Sequence, residues 1–312
     1  MNGVQLRNNA QTLQPTTRDL YHEFIQSVST NANTGKTYAA ALLTFMDYLD
    51  ANNLHDLNAV TPLDIQQYKN TLLGCGYSAN TINVKLSAVR AFFAWVEVIA
   101  PPFRSPASNV KGVKQDTEHK KSALTAEQVK TVLNTVDTRT VLGVRDYTIL
   151  LFMFSLGLRT CEVCRLDKSD VEQVGGKFIL HVWGKGKAGK SQIVVIPCGV
   201  MNALKWYIER RGEDTETELF RARTGGRLNP QTLSHVVKRY FKAAGLNGEQ
   251  YTAHSTRHTA ITLAACKGVG LYDLQQFARH AKPETTEIYI HEIDTVRSTV
   301  SATVYEQFAP TR

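Results

Sequence analysis

Several residue groups in the chain have types and spacings that could do chemistry. Cys161 and Cys164 stand at the spacing of a redox or zinc half-site, but there is no second pair and no strand precedes them. They read as small apolar residues buried on a helix. His254 and His258 have the i, i+4 spacing of a zinc-protease helix, yet Ser255 occupies the position where that motif needs a glutamate base. Gly184–Lys190 is rich in Gly and Lys without the order of a nucleotide-binding loop, and it joins two strands rather than a strand to a helix. A further set spans four segments: Gly157-Leu158-Arg159-Thr160-Cys161-Glu162, the Gly184–Lys190 tip with Lys185, His254-Ser255-Thr256-Arg257-His258, and His280 followed nine residues later by Tyr289. Each fragment alone is weak. Arg159 reads equally as a surface arginine, His254 as a helix cap, Tyr289 between two isoleucines as core, and Lys187 rivals Lys185. The order and the gaps together are specific.

With these residues in this order, the sequence resembles the tyrosine recombinase (phage integrase) family, which includes the Xer and Cre recombinases. The resemblance covers nearly the whole chain, and its specific motifs lie in the second half: Gly-Leu-Arg-x-x-Glu, Gly-Lys-Gly in a hairpin, His-x-x-Arg-His and His-x8-Tyr. It implies that Arg159 and Arg257 are paired phosphate-binding arginines and that Tyr289 is the nucleophile. It further implies that Lys185 is a mobile hairpin lysine acting as general acid, His254 a base or proton shuttle, and His280 a phosphate hydrogen-bond donor. Glu162 either supports a neighbouring positive group or is a surface acid.

The implied chemistry accounts for these residue types. Breaking a phosphodiester without metal requires fixed cations on the two nonbridging oxygens, and guanidinium groups supply bidentate donors. Attack by tyrosine leaves a 3′-phosphotyrosyl link that keeps the bond energy, so rejoining needs no ATP. The departing 5′-oxygen needs a proton. No metal or nucleotide cofactor is implied. Two departures from the family pattern stand out. Thr256 replaces the usual Leu before the second Arg, and Ala278-Arg279-His280 replaces Leu-Gly-His. Arg279 either contacts DNA backbone, contacts a neighbouring subunit, or is solvated.

The elements that must position this set are mainly helical. Tyr38, Ala41, Leu42, Phe45, Met46 and Leu49 recur at helical spacing, as do Ile82, Leu86, Val89, Phe93 and Val96. Thr61-Pro62 reads as a helix start, and Gly74 and Gly76 as its end. With a helix around Asp19–Val28 these form a four-helix unit. In the second half, Thr125 and Gln128 make a capping box ahead of a helix over 125–136, and another helix spans 145–156. Lys177–Trp183 and Gln192–Ile196 read as a β-hairpin with a basic tip. Helices follow at about 200–211, 230–244, 256–266, 271–279, 284–291 and 295–307.

The fold class expected is mainly α with a small β-hairpin or sheet in the catalytic domain. By the resemblance, two domains form a C-shaped DNA clamp: a helical SAM-like core-binding domain at 15–105 and a recombinase catalytic domain at 122–312. Pro101, Pro102 and Pro106 with four lysines place an interdomain linker at 106–121. A C-terminal helix at about 295–308 either packs on its own domain or docks into a neighbouring subunit, and docking in trans is the reading preferred.

Composition bounds the function classes. The 312 residues are 43% hydrophobic and 21% charged, which excludes a globally disordered chain. No apolar run approaches the length of a membrane span. The first 18 residues lack an apolar signal core, so a cytoplasmic location is expected. Only about 17 residues precede the first helix, which is read as the lack of an additional arm-binding domain. The net charge of +8 divides as 11 basic and 9 acidic residues over 1–121, and 25 and 19 over 122–312. Such a charge fits a phosphate-backbone partner without proving one. Candidate DNA contacts are Lys85 and Arg90 on the helix after Ser78, the tip residue Lys187, and Lys238, Arg239 and Lys242 on the 230–244 helix. The three arginines of Arg221–Arg227 are a looser possibility.

The function expected is site-specific DNA strand exchange by a homo-tetramer on two double-stranded sites. A type IB topoisomerase has the same catalytic set but works as a monomer, and the helical first domain and docking tail argue against it. A DNA-binding protein that lost cleavage is the rival from another class, and the complete residue set argues against that.

Overall fold

The computed structural model describes residues 16–29, 32–114, 123–184, 189–280, 282–283 and 285–287. The chain divides into two compact units, Met1–Glu118 and His119–Arg312.

The first unit is built on four helices: α1 (Thr17–Val28), α2 (Ala32–Ala51), α3 (Pro62–Gly74) and α4 (Ala79–Ile99). Their starts follow the local chemistry. Thr16 with Asp19, and Thr61 with Asp64, form reciprocal capping boxes, and Ser78 accepts from the backbone N–H of Thr81. The apolar stripes converge on one core containing Phe24, Leu42, Phe45, Tyr68, Ile82, Phe92 and Phe93. The chain after α4 stays on this unit. Phe103, Ala107, Val110 and Val113 pack against the same core. Asn83 exchanges two hydrogen bonds with the backbone of Val113, at 2.8 and 2.9 Å, and Arg90 donates to the carbonyl of Val110 at 2.6 Å. The first half of the segment read as a linker is therefore anchored structure, because its apolar residues alternate with small ones at a spacing that composition alone does not reveal.

The second unit contains α5 (Ala126–Asn134), α6 (Val141–Leu156), α7 (Thr160–Cys164), β1 (Val171–Val174), β2 (Lys177–Val182), β3 (Gln192–Ile196), α8 (Cys198–Arg211), α9 (Pro230–Ala243), α10 (Ala253–Cys266) and α11 (Leu271–Ala278). The sheet is antiparallel in the order β1-β2-β3. The hairpin expected from the sequence is β2–β3. The added strand β1 is four residues long and mostly exposed, too short for an alternating pattern to show.

Helix α6 is the centre of this unit. It is apolar nearly all round, and Val144, Ile149, Leu150, Phe152, Met153 and Leu156 are buried. It starts four residues before the expected position because Thr140 caps Gly143 at 3.0 Å. It also carries a buried ion pair. Arg145 donates to Asp146 at 2.7 and 3.0 Å, and Asp146 accepts from the Tyr240 hydroxyl at 2.9 Å. Burial and the neighbouring Asp146 push the Tyr240 hydroxyl up to about 12.

Candidate active site

Helix α6 ends at Gly157, whose φ of 59° is left-handed and suits glycine. The reversal buries Leu158 and makes Arg159 the N-cap of the short helix α7. Glu162 then sits at the third position of α7. Its carboxylate accepts from the Arg159 backbone N–H at 2.8 Å and pairs with the Arg159 guanidinium at 2.5 Å. The motif Arg-x-x-Glu is thus both a helix start and an ion pair, and the Glu162 side chain is 5% exposed. Glu162 is not a surface acid.

Arg257 projects from the second turn of α10 and is 2% exposed, the largest fully buried side chain among the described residues. Its Nη1 donates to the carbonyl oxygen of Gly157 at 2.6 Å. Helix α10 is set by Thr252, whose N–H donates to Ser255 Oγ, while Ser255 Oγ donates to the carbonyl of Gln250. Thr259 Oγ1 accepts from the Leu124 N–H at 2.9 Å, tying the entry to this unit onto α10. His254 is the second residue of the helix and is exposed; the cap is Thr252.

Arg279 departs from the solvated and DNA-contact readings. It is the C-cap of α11 with φ 52° and ψ 43°, and its side chain is 4% exposed. Nη2 donates to Gly157 O at 2.8 Å and to Glu162 at 3.1 Å, and Nη1 donates to the carbonyls of Leu156 and Phe277 at 3.2 and 3.0 Å. Burial pushes the Glu162 carboxyl up, but the charges of Arg279 and Arg159 and the Arg159 N–H outweigh it and hold the group below the usual carboxylate range.

His280 follows directly. Its Nδ1 lies 3.0 Å from the Thr286 hydroxyl, and its carbonyl accepts from Gln275 at 3.2 Å. Burial, then the positive fields of Arg257, Arg159, Arg279 and His254, push its imidazole down to about 4, so it is neutral at neutral pH. The structure thus gathers Arg159, Glu162, His254, Arg257 and His280 from three separate segments. Arg159 and Arg279 share the Glu162 carboxylate while Arg257 holds the Gly157 carbonyl, so three guanidinium groups stand against one carboxylate charge, an excess of positive charge suited to a phosphate.

Tyr289, Lys185, Lys187 and the expected 295–308 helix lie outside the described residues. The hairpin that carries Lys185 is fixed on its return side by Lys190, whose ammonium pairs with Asp167 at 2.6 Å and Asp170 at 2.5 Å. The ion pairs of Lys190 and the inward use of Arg279 were not singled out from the sequence. For Arg279 a signal existed, namely a large charged residue in a motif position usually held by glycine.

The remaining candidates divide. Lys238, Arg239 and Lys242 are exposed on α9, although Arg239 also pairs with Asp146 at 3.1 Å. Lys85 is half-buried, donates to Thr44 at 2.7 Å and lies over the Tyr77 ring, and Arg90 holds Val110. Arg221 and Arg227 pair with Asp214 and Asp167. Cys164 is buried as expected, with its thiol pushed up to about 12 by burial, whereas Cys161 is exposed. Among the described residues no helix is long and apolar enough to cross a membrane.

Residues 122–295 match the phage integrase family and residues 19–97 its N-terminal SAM-like domain. The tyrosine recombinase XerA of Thermococcus kodakarensis is 31% identical over 243 residues, covering 75% of this chain and 77% of XerA. XerD of Listeria monocytogenes is 28% identical over 299 residues, covering 94% and 97%. The fold is shared with the XerH site-specific recombinase bound to its palindromic difH substrate in a post-cleavage complex, at a TM-score of 0.77 and 21% identity over 93% of this chain and 84% of XerH. The chain belongs to the phage integrase family and is a site-specific tyrosine recombinase, an enzyme that cleaves and rejoins DNA.

Proposed function

We propose that the cluster around Gly157 binds the scissile phosphate and that Tyr289 attacks it. The observation that carries this reading is the convergence of Arg159 and Arg257, from α7 and α10, on one turn with His280 beside them. The two guanidinium groups neutralise charge on the nonbridging oxygens as the phosphorane forms. Their value lies in being fixed beforehand, because a preorganised donor costs no reorganisation during reaction. Neutral His280 donates a hydrogen bond to the phosphate, and His254 at the exposed start of α10 shuttles the tyrosine proton. Lys185 protonates the departing 5′-oxygen. Bond order is conserved: the O–P bond to Tyr289 forms as the 5′-O–P bond breaks, and reversal rejoins the strand.

The partner is double-stranded DNA carrying a defined site, in keeping with the substrate on which XerH is held. Four copies of the chain act together on two such sites. Exposed Lys238, Arg239 and Lys242 contact the DNA backbone. The matches favour neither a topoisomerase nor a non-cleaving DNA-binding protein.

The test is a nicked suicide substrate carrying the chain's own site. The wild-type chain traps a covalent 3′ adduct and Tyr289→Phe does not. A Tyr289→Phe variant that still forms the adduct overturns the assignment. Sedimentation of the complex formed on two sites reads the tetramer.

A further inference from the structure

We infer that Arg279 is a positioning residue of this active site, acting on Arg159 through Glu162 and on Arg257 through the Gly157 carbonyl. The proposal rests on the phosphate-binding reading above. Its ground is a geometry that would be unexplained otherwise. A non-glycine residue with φ 52° occupies a backbone region that disfavours side chains, and such strain persists only where surrounding structure over-determines it. Here the surroundings are four acceptors: Leu156 O, Gly157 O, Phe277 O and Glu162 Oε2. Two of the four are the same groups that hold the phosphate-binding pair. Gly157 O also accepts from Arg257, and the Glu162 carboxylate also accepts from Arg159.

The left-handed turn is what lets one residue do this. It ends α11, sends the Arg279 side chain back beneath the end of α6 and delivers His280 to the site. A single guanidinium fork can span a carbonyl and a carboxylate at once, which an ammonium cannot. Being 4% exposed, Arg279 is poorly placed to touch DNA itself. Without it, Glu162 has one cationic partner instead of two among the described contacts. It then draws Arg159 further inward, away from a phosphate, and Gly157 O is claimed by Arg257 alone. Misplacement of fixed groups by about 1 Å can cost on the order of a hundredfold in rate.

The informative variant is Arg279→Gly, because glycine takes the left-handed backbone without strain. Single-turnover cleavage of a nicked suicide substrate at saturating DNA is measured beside DNA affinity, with circular dichroism as the folding check. The expected result is a cleavage rate at least about tenfold slower with DNA affinity within about twofold of wild type. In a Glu162→Gln background the same substitution costs less, because the route through Glu162 is already cut and only the route through the Gly157 carbonyl is left to lose. If Arg279→Gly fails to fold, Arg279→Lys takes its place in the same comparison. A wild-type rate in the variant overturns the proposal, as does a loss carried by affinity, or an equal rate loss in both backgrounds. A wild-type chain that traps no adduct overturns the site reading itself, and this proposal with it.

Discussion

Arg257 and Arg279, from α10 and from the end of α11, donate to one carbonyl oxygen, that of Gly157, at 2.6 and 2.8 Å. The end of α6 is therefore a common reference point for both cations. A helix C-terminus presents carbonyls without intrahelical partners and a partial negative charge, so arginines satisfy it well. The arrangement satisfies a helix end and gives the proposed phosphate site a fixed floor.

Gly157→Ala tests that floor. The residue has φ +59°, and an added Cβ would approach the Phe277 ring at 3.3 Å. Left-handed backbone costs a residue with a side chain about 1–2 kcal/mol. The expected outcome is a stability loss of about that size, read by urea unfolding, with a disproportionate fall in cleavage because the carbonyl that anchors both arginines is displaced. Equal stability and a wild-type rate would remove Gly157 from the design.

Glu162→Gln tests the carboxylate. It leaves Arg159 and the buried Arg279 without their counter-ion, and breaking a buried pair by removing one partner costs about 3 kcal/mol or more. The direction with pH follows from the depressed carboxyl. The folded state holds Glu162 ionised at pH values where the unfolded chain is already protonated. Its contribution is present above the ordinary carboxylate pKa and is lost as pH falls through the folded value. Wild type is therefore expected to exceed Glu162→Gln in urea midpoint at pH 7, with the gap narrowing in acid. A gap independent of pH would show that charge is not the cause.

His280 gives a second pH signature. Its imidazole, pushed down to about 4, stays neutral while the unfolded chain takes up a proton near 6.5. Stability from this group is full above about 6.5 and is lost as pH falls toward 4. Nuclear magnetic resonance of the histidine ring protons, assigned with His280→Gln, is expected to show His280 titrating well below the ordinary histidine value of about 6.5. A phosphate placed among the arginines cancels part of their field, so DNA binding should raise the His280 midpoint. A midpoint near 6.5 in the free protein would contradict the clustered charges.

Much of this was legible in the sequence. Capping pairs such as Thr61 with Asp64 and Thr125 with Gln128 placed helix starts, because a cap is a local interaction that needs no tertiary context. The stripe Ile82, Leu86, Val89, Phe93 and Val96 is wholly buried, since period alone fixes which face is apolar. The Arg-x-x-Glu spacing of residues 159 and 162 was legible for the same reason. What remained illegible depends on long-range approach. The partners of Arg279 lie more than a hundred residues earlier in the chain, apart from Phe277, and no local pattern shows that a charged residue will fold inward. The polar side of α4 was equally opaque. Arg90 looks like a DNA-facing residue until the segment ending at Val113 lies over it and over Asn83.

That last point separates the basic residues by experiment. Each phosphate contact contributes about one counter-ion to the slope of log affinity against log salt. Lys238 and Lys242 are exposed on one face of α9, whereas the described contacts of Arg90 and Lys85 are internal, to Val110 and to Thr44. Lys238→Ala and Lys242→Ala are expected to weaken binding and to lower the magnitude of the slope by about one each. Arg90→Ala is expected to leave the slope unchanged and instead to loosen the 106–113 segment, read as faster proteolysis there. Fluorescence anisotropy on a labelled site across a salt series measures all three. A reduced slope for Arg90→Ala would return α4 to the DNA interface, and unchanged slopes for both lysines would remove α9 from it.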